Sequence, residues 1–121
     1  MKITDFIERA QRYDSTNVFG VGHQDIDGLP EVLRSLYECA DPIDVEVPSR
    51  KYGNIHFCSF AELQTEYKRY GFFNPGTIVF ATSNGDPFFV LDNKIYTTYE
   101  SDYAPEYVAS TLESFLSLCK I

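Results

Sequence analysis

Two tight turns, separated by four residues, constrain this chain more than any other feature. Asn84-Gly85-Asp86-Pro87 and Asp92-Asn93 flank the run Phe88-Phe89-Val90-Leu91. Asn, Gly and Asp tolerate the positive φ that short hairpins require. Before the first turn lies Thr77 to Ser83, where Ile78-Val79-Phe80-Ala81 is apolar on both faces, as a central strand is. After the second lies Lys94 to Tyr99. Strands joined by such short turns pair antiparallel, since a parallel crossover needs roughly a dozen residues. The second half therefore predicts an antiparallel meander.

Helical periodicity governs much of the rest. Ile3, Phe6, Ile7 and Ala10 form one stripe, with Thr4 as its cap and Asp14-Ser15-Thr16-Asn17 as its stop. Val18 to His23 is too glycine-rich to predict a firm strand. Pro30 suits the first turn of a second helix, with Leu29, Val32, Leu33, Leu36 and Tyr37 on its apolar face and Asp41-Pro42 at its end. Ile43, Val45 and Val47 alternate with acids, and Ile55 and Phe57 alternate with His56 and Cys58; both patterns are strands. Ser59 and Glu62 make a capping box for a third helix carrying Phe60, Leu63, Tyr67 and Tyr70 and closing at Gly71. A last helix is expected from about Pro105 to Cys119, with Val108, Leu112, Phe115, Leu116 and Cys119 as its stripe. Helices at both chain ends and an antiparallel or mixed sheet of five or more strands give an α+β fold with helices packed on one face.

A chain of 121 residues is one domain, 1–121, and its 44% hydrophobic and 23% charged residues suit a globular core. The net charge of −8 is the wrong sign for phosphate neutralisation, so nucleic acid is not an expected partner. A basic protein is electrostatically suited. No apolar run approaches the roughly 18 residues of a membrane span. Asp5, Glu8, Arg9 and Arg12 interrupt any signal-peptide core, so a cytoplasmic location is expected. Cys39, Cys58 and Cys119 are odd in number and lack a CxxC spacing, which reads as small thiols rather than a disulfide framework.

From Ser59 to Leu116 the order of motifs resembles the SMI1/KNR4 (SUKH) superfamily. The capped segment Phe60-Ala61-Glu62-Leu63 precedes the strand Ile78-Val79-Phe80-Ala81. Asn84-Gly85-Asp86, an aromatic strand ending in Asp92, Ile95-Tyr96, an acidic loop and the closing stretch Val108 to Leu116 follow. Leu29-Pro30 before a helix is similar to the family's Leu-Pro opening. The resemblance implies an α+β protein-binding domain. Bacterial members look like immunity proteins that neutralise polymorphic toxins, often nucleases, and fungal members are intracellular regulators.

The residues suggest where a partner would dock. Between positions 85 and 107 stand five acids and one base, Lys94. Asp86, Asp92, Tyr96, Tyr99, Glu100, Asp102 and Tyr103 are the candidate contact residues, with Tyr107 continuing the series. Tyrosine offers contact area and a hydroxyl at low entropic cost. The competing reading has these tyrosines covering the sheet edge among solvated acids. A second acidic stretch, Gly20 to Pro48, holds seven acids against Arg34 alone. It either aids solubility or presents phosphate-like charge to a nuclease toxin.

Chemistry is sparse by comparison. Asp25-x-Asp27 lacks the other ligands of a calcium loop, and His23 and His56 have no third nitrogen or sulfur at ligand spacing except Cys58, so no metal or cofactor is expected. His56 and Cys58 would share a strand face, but no third group orients the histidine. No catalytic residue is therefore assigned. The expected function is non-enzymatic protein binding, with a basic toxin domain as the partner the resemblance implies. An intracellular regulator or scaffold of the same fold is the alternative, and a small hydrolase comes third. Partner identity and oligomeric state are left open by the sequence.

Overall fold

The computed structural model describes residues 1–99 and 102–121, with Asp102 described by its backbone alone. The elements are α1 (Ile3–Tyr13), β1 (Val18–Val21), α2 (Glu31–Cys39), β2 (Ala40–Pro48), β3 (Asn54–Phe57), β4 (Val79–Ser83), β5 (Asp86–Leu91), β6 (Lys94–Tyr99), β7 (Asp102–Ala109) and α3 (Leu112–Leu116). Two short 3₁₀ turns, Ala61–Gln64 and Glu66–Arg69, lie between β3 and β4. The seven strands form one antiparallel sheet in chain order. The architecture is α+β, and every strand pairing is antiparallel.

The two turns set the meander as expected. Asn84 and Gly85 have φ of 53° and 85° between the paired residues Ser83 and Asp86. Asp92 and Asn93 have φ of 52° and 57° between Leu91 and Lys94. Positive φ at both central residues is the two-residue hairpin geometry that matches strand twist.

Adjacent residues of β5 serve opposite faces. Phe88 joins the main core, and Phe89 belongs to a second cluster with Val79 and Tyr70. The main core lies under the three helices. Phe6 and Ala10 of α1, Leu33 and Leu36 of α2 and Leu112, Phe115 and Leu116 of α3 meet Val45, Val47, Ile55, Phe57, Ala81 and Ile95 of the sheet. Phe115 is its hub, with ring centroids 5.1 Å from Phe80, 5.0 Å from Phe88 and 6.1 Å from Phe57. Val79 opposes Phe89 while Ala81 opposes Phe88, so Phe80 is the extra residue of a bulge. On the other face, Tyr67, Phe72, Phe73 and Tyr96 pack around the second cluster.

Several local expectations are corrected. The segment from Pro105 is not helical: β7 runs to Ala109, and α3 occupies only Leu112–Leu116, capped by Thr111 Oγ1 accepting from Ser114 N at 3.1 Å. Pairing with β6 competes with the helical stripe and prevails through Ala109, which opposes Ile95. Val18–Val21 is a strand despite Gly20, because a Cβ there would stand 3.1 Å from Ile43 Cγ1 and glycine leaves that room. The third helix is two 3₁₀ turns broken at Thr65, although the Ser59–Glu62 capping box forms, with Ser59 N donating to Glu62 Oε1 at 2.8 Å. Thr4 lies inside the first turn of α1 rather than capping it; Lys2 holds the cap position, where it makes no side-chain cap bond. No helix among the described residues is long and apolar enough to cross a membrane.

Candidate functional site

The candidate contact residues separate into three places. Asp86 and Tyr99 come together at one end of the meander, where they line an open hollow with Glu106. The tight turn at Asn84-Gly85 brings the start of β5 there, and the Phe88–Thr97 pairing carries Tyr99 alongside. Asp92 sits at the opposite end of β5, roughly 20 Å away at about 3.3 Å per residue. The neighbouring Asn93 Oδ1 accepts from Val32 N at 2.9 Å, so this turn caps the start of α2.

Tyr96 and Tyr103 form the third place, on the face away from the helices. Tyr103 stacks on Phe72 at 4.9 Å and 18° and meets Phe73 edge-on at 5.7 Å. Tyr96 lies 6.3 Å from Phe89 and 6.0 Å from Tyr107. The tyrosine series therefore divides by exposure. Tyr96 is half-buried in the aromatic layer, whereas Tyr99, Tyr103 and Tyr107 remain 62%, 44% and 56% exposed. Asp102 pairs with Tyr99 through the backbone of β7. Glu100 lies outside the described residues.

Two further residues of this hollow were not read from the sequence. The turn between β2 and β3 delivers Lys51 and Tyr52 to its rim. Ser49 N donates to Gly53 O at 2.8 Å, and Gly53 has φ of 78°, which folds the turn back toward Asn84. Lys51 Nζ lies 5.5 Å from the Tyr52 ring centroid, and Tyr52 meets Phe88 edge-on at 5.1 Å. The hollow thus carries both charge signs. A partner facing it would meet two carboxylates and an ammonium rather than a uniformly acidic rim. The only available sequence signal was the basic turn Pro48 to Gly53, and its position depends on long-range pairing.

His56 and Cys58 are not brought to one exposed site. His56 opposes Glu46 and Thr82 across the sheet and lines a polar cleft with Asp14, Asn17, Asp44 and Asn54. β3 ends at Phe57, so the two-residue alternation stops before Cys58, which turns into the main core. Burial there pushes its thiol well above the usual range, reinforced by the nearby Glu66 and Glu62 carboxylates. That works against the thiolate a nucleophile needs. Burial likewise pushes Cys119 up to about 12, while Cys39 is exposed.

A polar corner absent from the sequence reading forms around Asp41. Gly22 packs so close to α2 that a Cβ would stand 1.9 Å from Glu38 O, and His23 N donates to Tyr37 O at 2.8 Å. This places the His23 ring flat on Phe60, at 3.9 Å and 15°. Its Nε2 lies 2.7 Å from Asp41 Oδ2, and Asp41 Oδ1 accepts from Phe60 N at 2.9 Å. Both oxygens of a buried carboxylate are thereby engaged. One member of the acidic stretch is thus structural. Asp25, Asp27, Asp44 and Glu46 remain exposed. Among the described residues no three His, Cys, Asp or Glu side chains are grouped to hold a metal. No family model, no curated protein and no solved structure matches the chain.

Proposed function

We propose that this chain is a non-enzymatic protein-binding domain that neutralises a basic toxin domain by covering it, in the manner the SUKH resemblance implies. The observation that carries this reading is the last hairpin, which exposes Tyr99 by 62% beside Asp86 and Glu106, and Tyr107 by 56% next to Tyr96 on the other face. Exposed tyrosine adds contact area, and neighbouring carboxylates steer a cationic partner. The buried Cys58 thiol further supports binding over nucleophilic chemistry.

The test uses the tagged full chain and a Tyr99→Ala/Tyr107→Ala variant, each incubated with the source cell's lysate and secreted proteins at low and high salt. A basic, nuclease-like domain should be held at low salt, released at high salt and lost by the variant. Retention of an intracellular complex instead would favour a regulator or scaffold of the same fold. Equal capture by both forms would remove the hairpin as the contact surface.

A further inference from the structure

The sheet has two edges, and only one is guarded. β7 carries Pro105, which has no N–H to donate, the exposed Glu106, and two register shifts against β6. Proline, charge and bulges are the devices that stop an edge from pairing with another chain. β1 has neither proline nor charge within its four residues, Val18-Phe19-Gly20-Val21, and a single register shift, between Val18 and Phe19. From Phe19↔Pro42 to Val21↔Ala40 its register with β2 is continuous, and among the described residues β2 is the only element against which it packs extensively. Its other side therefore presents backbone donors and acceptors to solvent, as an unpaired strand edge does. Val21 is 90% exposed and Val18 is 47% exposed.

Charge around this edge is one-sided. Asp14, Asp44 and Glu46 line the cleft at the Val18 end, and Asp25 and Glu38 are exposed beyond Val21. Between Tyr13 and Pro48 the sole cation is Arg34. Its guanidinium is already committed, donating to Leu29 O at 3.0 Å and Asp27 O at 3.2 Å. A second copy of this acidic chain would repel itself here. From the open edge and its charge we infer that β1 is a strand-addition site for an extended, lysine- or arginine-bearing segment of a protein partner. Backbone hydrogen bonds would give the pairing, and cations at both ends of the segment would meet the flanking carboxylates. This surface lies apart from the last hairpin, so it stands or falls independently of the tyrosine contact.

The probe is a short synthetic peptide alternating valine and lysine, titrated into the isotopically labelled full chain while backbone amide shifts are followed. A control peptide has the same charge but prolines at alternate positions, which prevents ladder pairing. Shifts should concentrate on Val18–Val21 and fade as salt rises, and the proline peptide should leave them unmoved. Val21→Lys, at so exposed a position, keeps the fold and should weaken binding roughly tenfold or more by like-charge repulsion. Val21→Thr, an uncharged strand former, should retain it. The proposal is overturned if the proline peptide binds equally, if the shifts map to β7, or if no peptide binds. Self-association abolished by Val21→Lys would also overturn it, because the occupant would then be a second copy.

Discussion

The first and last strands end the same sheet in opposite ways. β7 is blunted by its own sequence: Pro105 removes a donor, and the two irregularities against β6 twist the edge. β1 is held from behind instead. Asn17 is buried at its start, donating from Nδ2 to Ala10 O at 2.8 Å and accepting Glu46 N on Oδ1 at 2.9 Å. Gly22 and His23 clamp its end to α2 and Asp41. One amide thus joins α1, β1 and β2, and one glycine lets the chain lie against a helix carbonyl. An edge can be protected by what it lacks or positioned by what stands behind it, and only the second arrangement leaves its outer side open.

The largest test of this contrast is Gly22→Ala. A Cβ 1.9 Å from Glu38 O forces β1 and α2 apart. We expect a loss of about 3 kcal/mol in urea unfolding, at the upper end of overpacking costs. Asn17→Ala comes next. It strands the Glu46 N–H and removes one of two bonds to Ala10 O, which keeps Asp14 N at 3.1 Å, so about 1–3 kcal/mol should go, with faster amide exchange at Glu46 as its local signature. Stability unchanged in either variant would break the claim that β1 is anchored from behind.

Pro105→Val should change unfolding stability by only about 0.5 kcal/mol, because the residue is exposed. It restores an edge donor, however, so sedimentation should show more self-association than in the wild type. A monomeric variant would remove the guarding role of Pro105. Thiol labelling gives a smaller and more local readout. Cys39, at the corner where α2 meets β2, should react in the native state, whereas Cys58 and Cys119 should react only on unfolding.

The smallest effect expected is that of acid on the turn before β1. Asp14 Oδ1 accepts from Thr16 N at 2.9 Å and from Thr16 Oγ1 at 2.8 Å, and these bonds hold its carboxyl below the usual carboxylate range. A depressed carboxylate supports the folded turn above its unfolded pKa, and that support is lost as pH falls through the lower folded value. Amide exchange at Thr16, corrected for intrinsic rate, should therefore accelerate in that acid window, and Asp14→Asn should flatten the response. An unchanged profile in the variant would assign the acid sensitivity elsewhere.

Where local physics was decisive, the sequence was legible. Asn84-Gly85 and Asp92-Asn93 can adopt positive φ cheaply, so the meander followed from them. Ser59 and Glu62 satisfy each other's backbone within one turn whatever lies around them. The candidate contact residues were legible as types but not as a group. Strand alternation and hairpin ends sent Asp86 and Tyr99 to one rim, Asp92 to the far turn, and Tyr96 and Tyr103 to the aromatic layer.

By itself the sequence determined the antiparallel hairpins, the apolar stripes of α1 and α2, and the excess of negative charge. These depend on backbone preference, on spacing within a few residues and on counting. Only the tertiary structure decided that Pro105 to Ala109 is a strand, that Gly20 belongs in one, and that Lys51 joins Asp86. Each of those outcomes depends on a partner far along the chain: β6 for the first, Ile43 of β2 for the second, and the returning β2–β3 turn for the third. Ladder pairing and close packing outweigh intrinsic propensities of well under about 1 kcal/mol per residue, and neither can be seen from one segment alone.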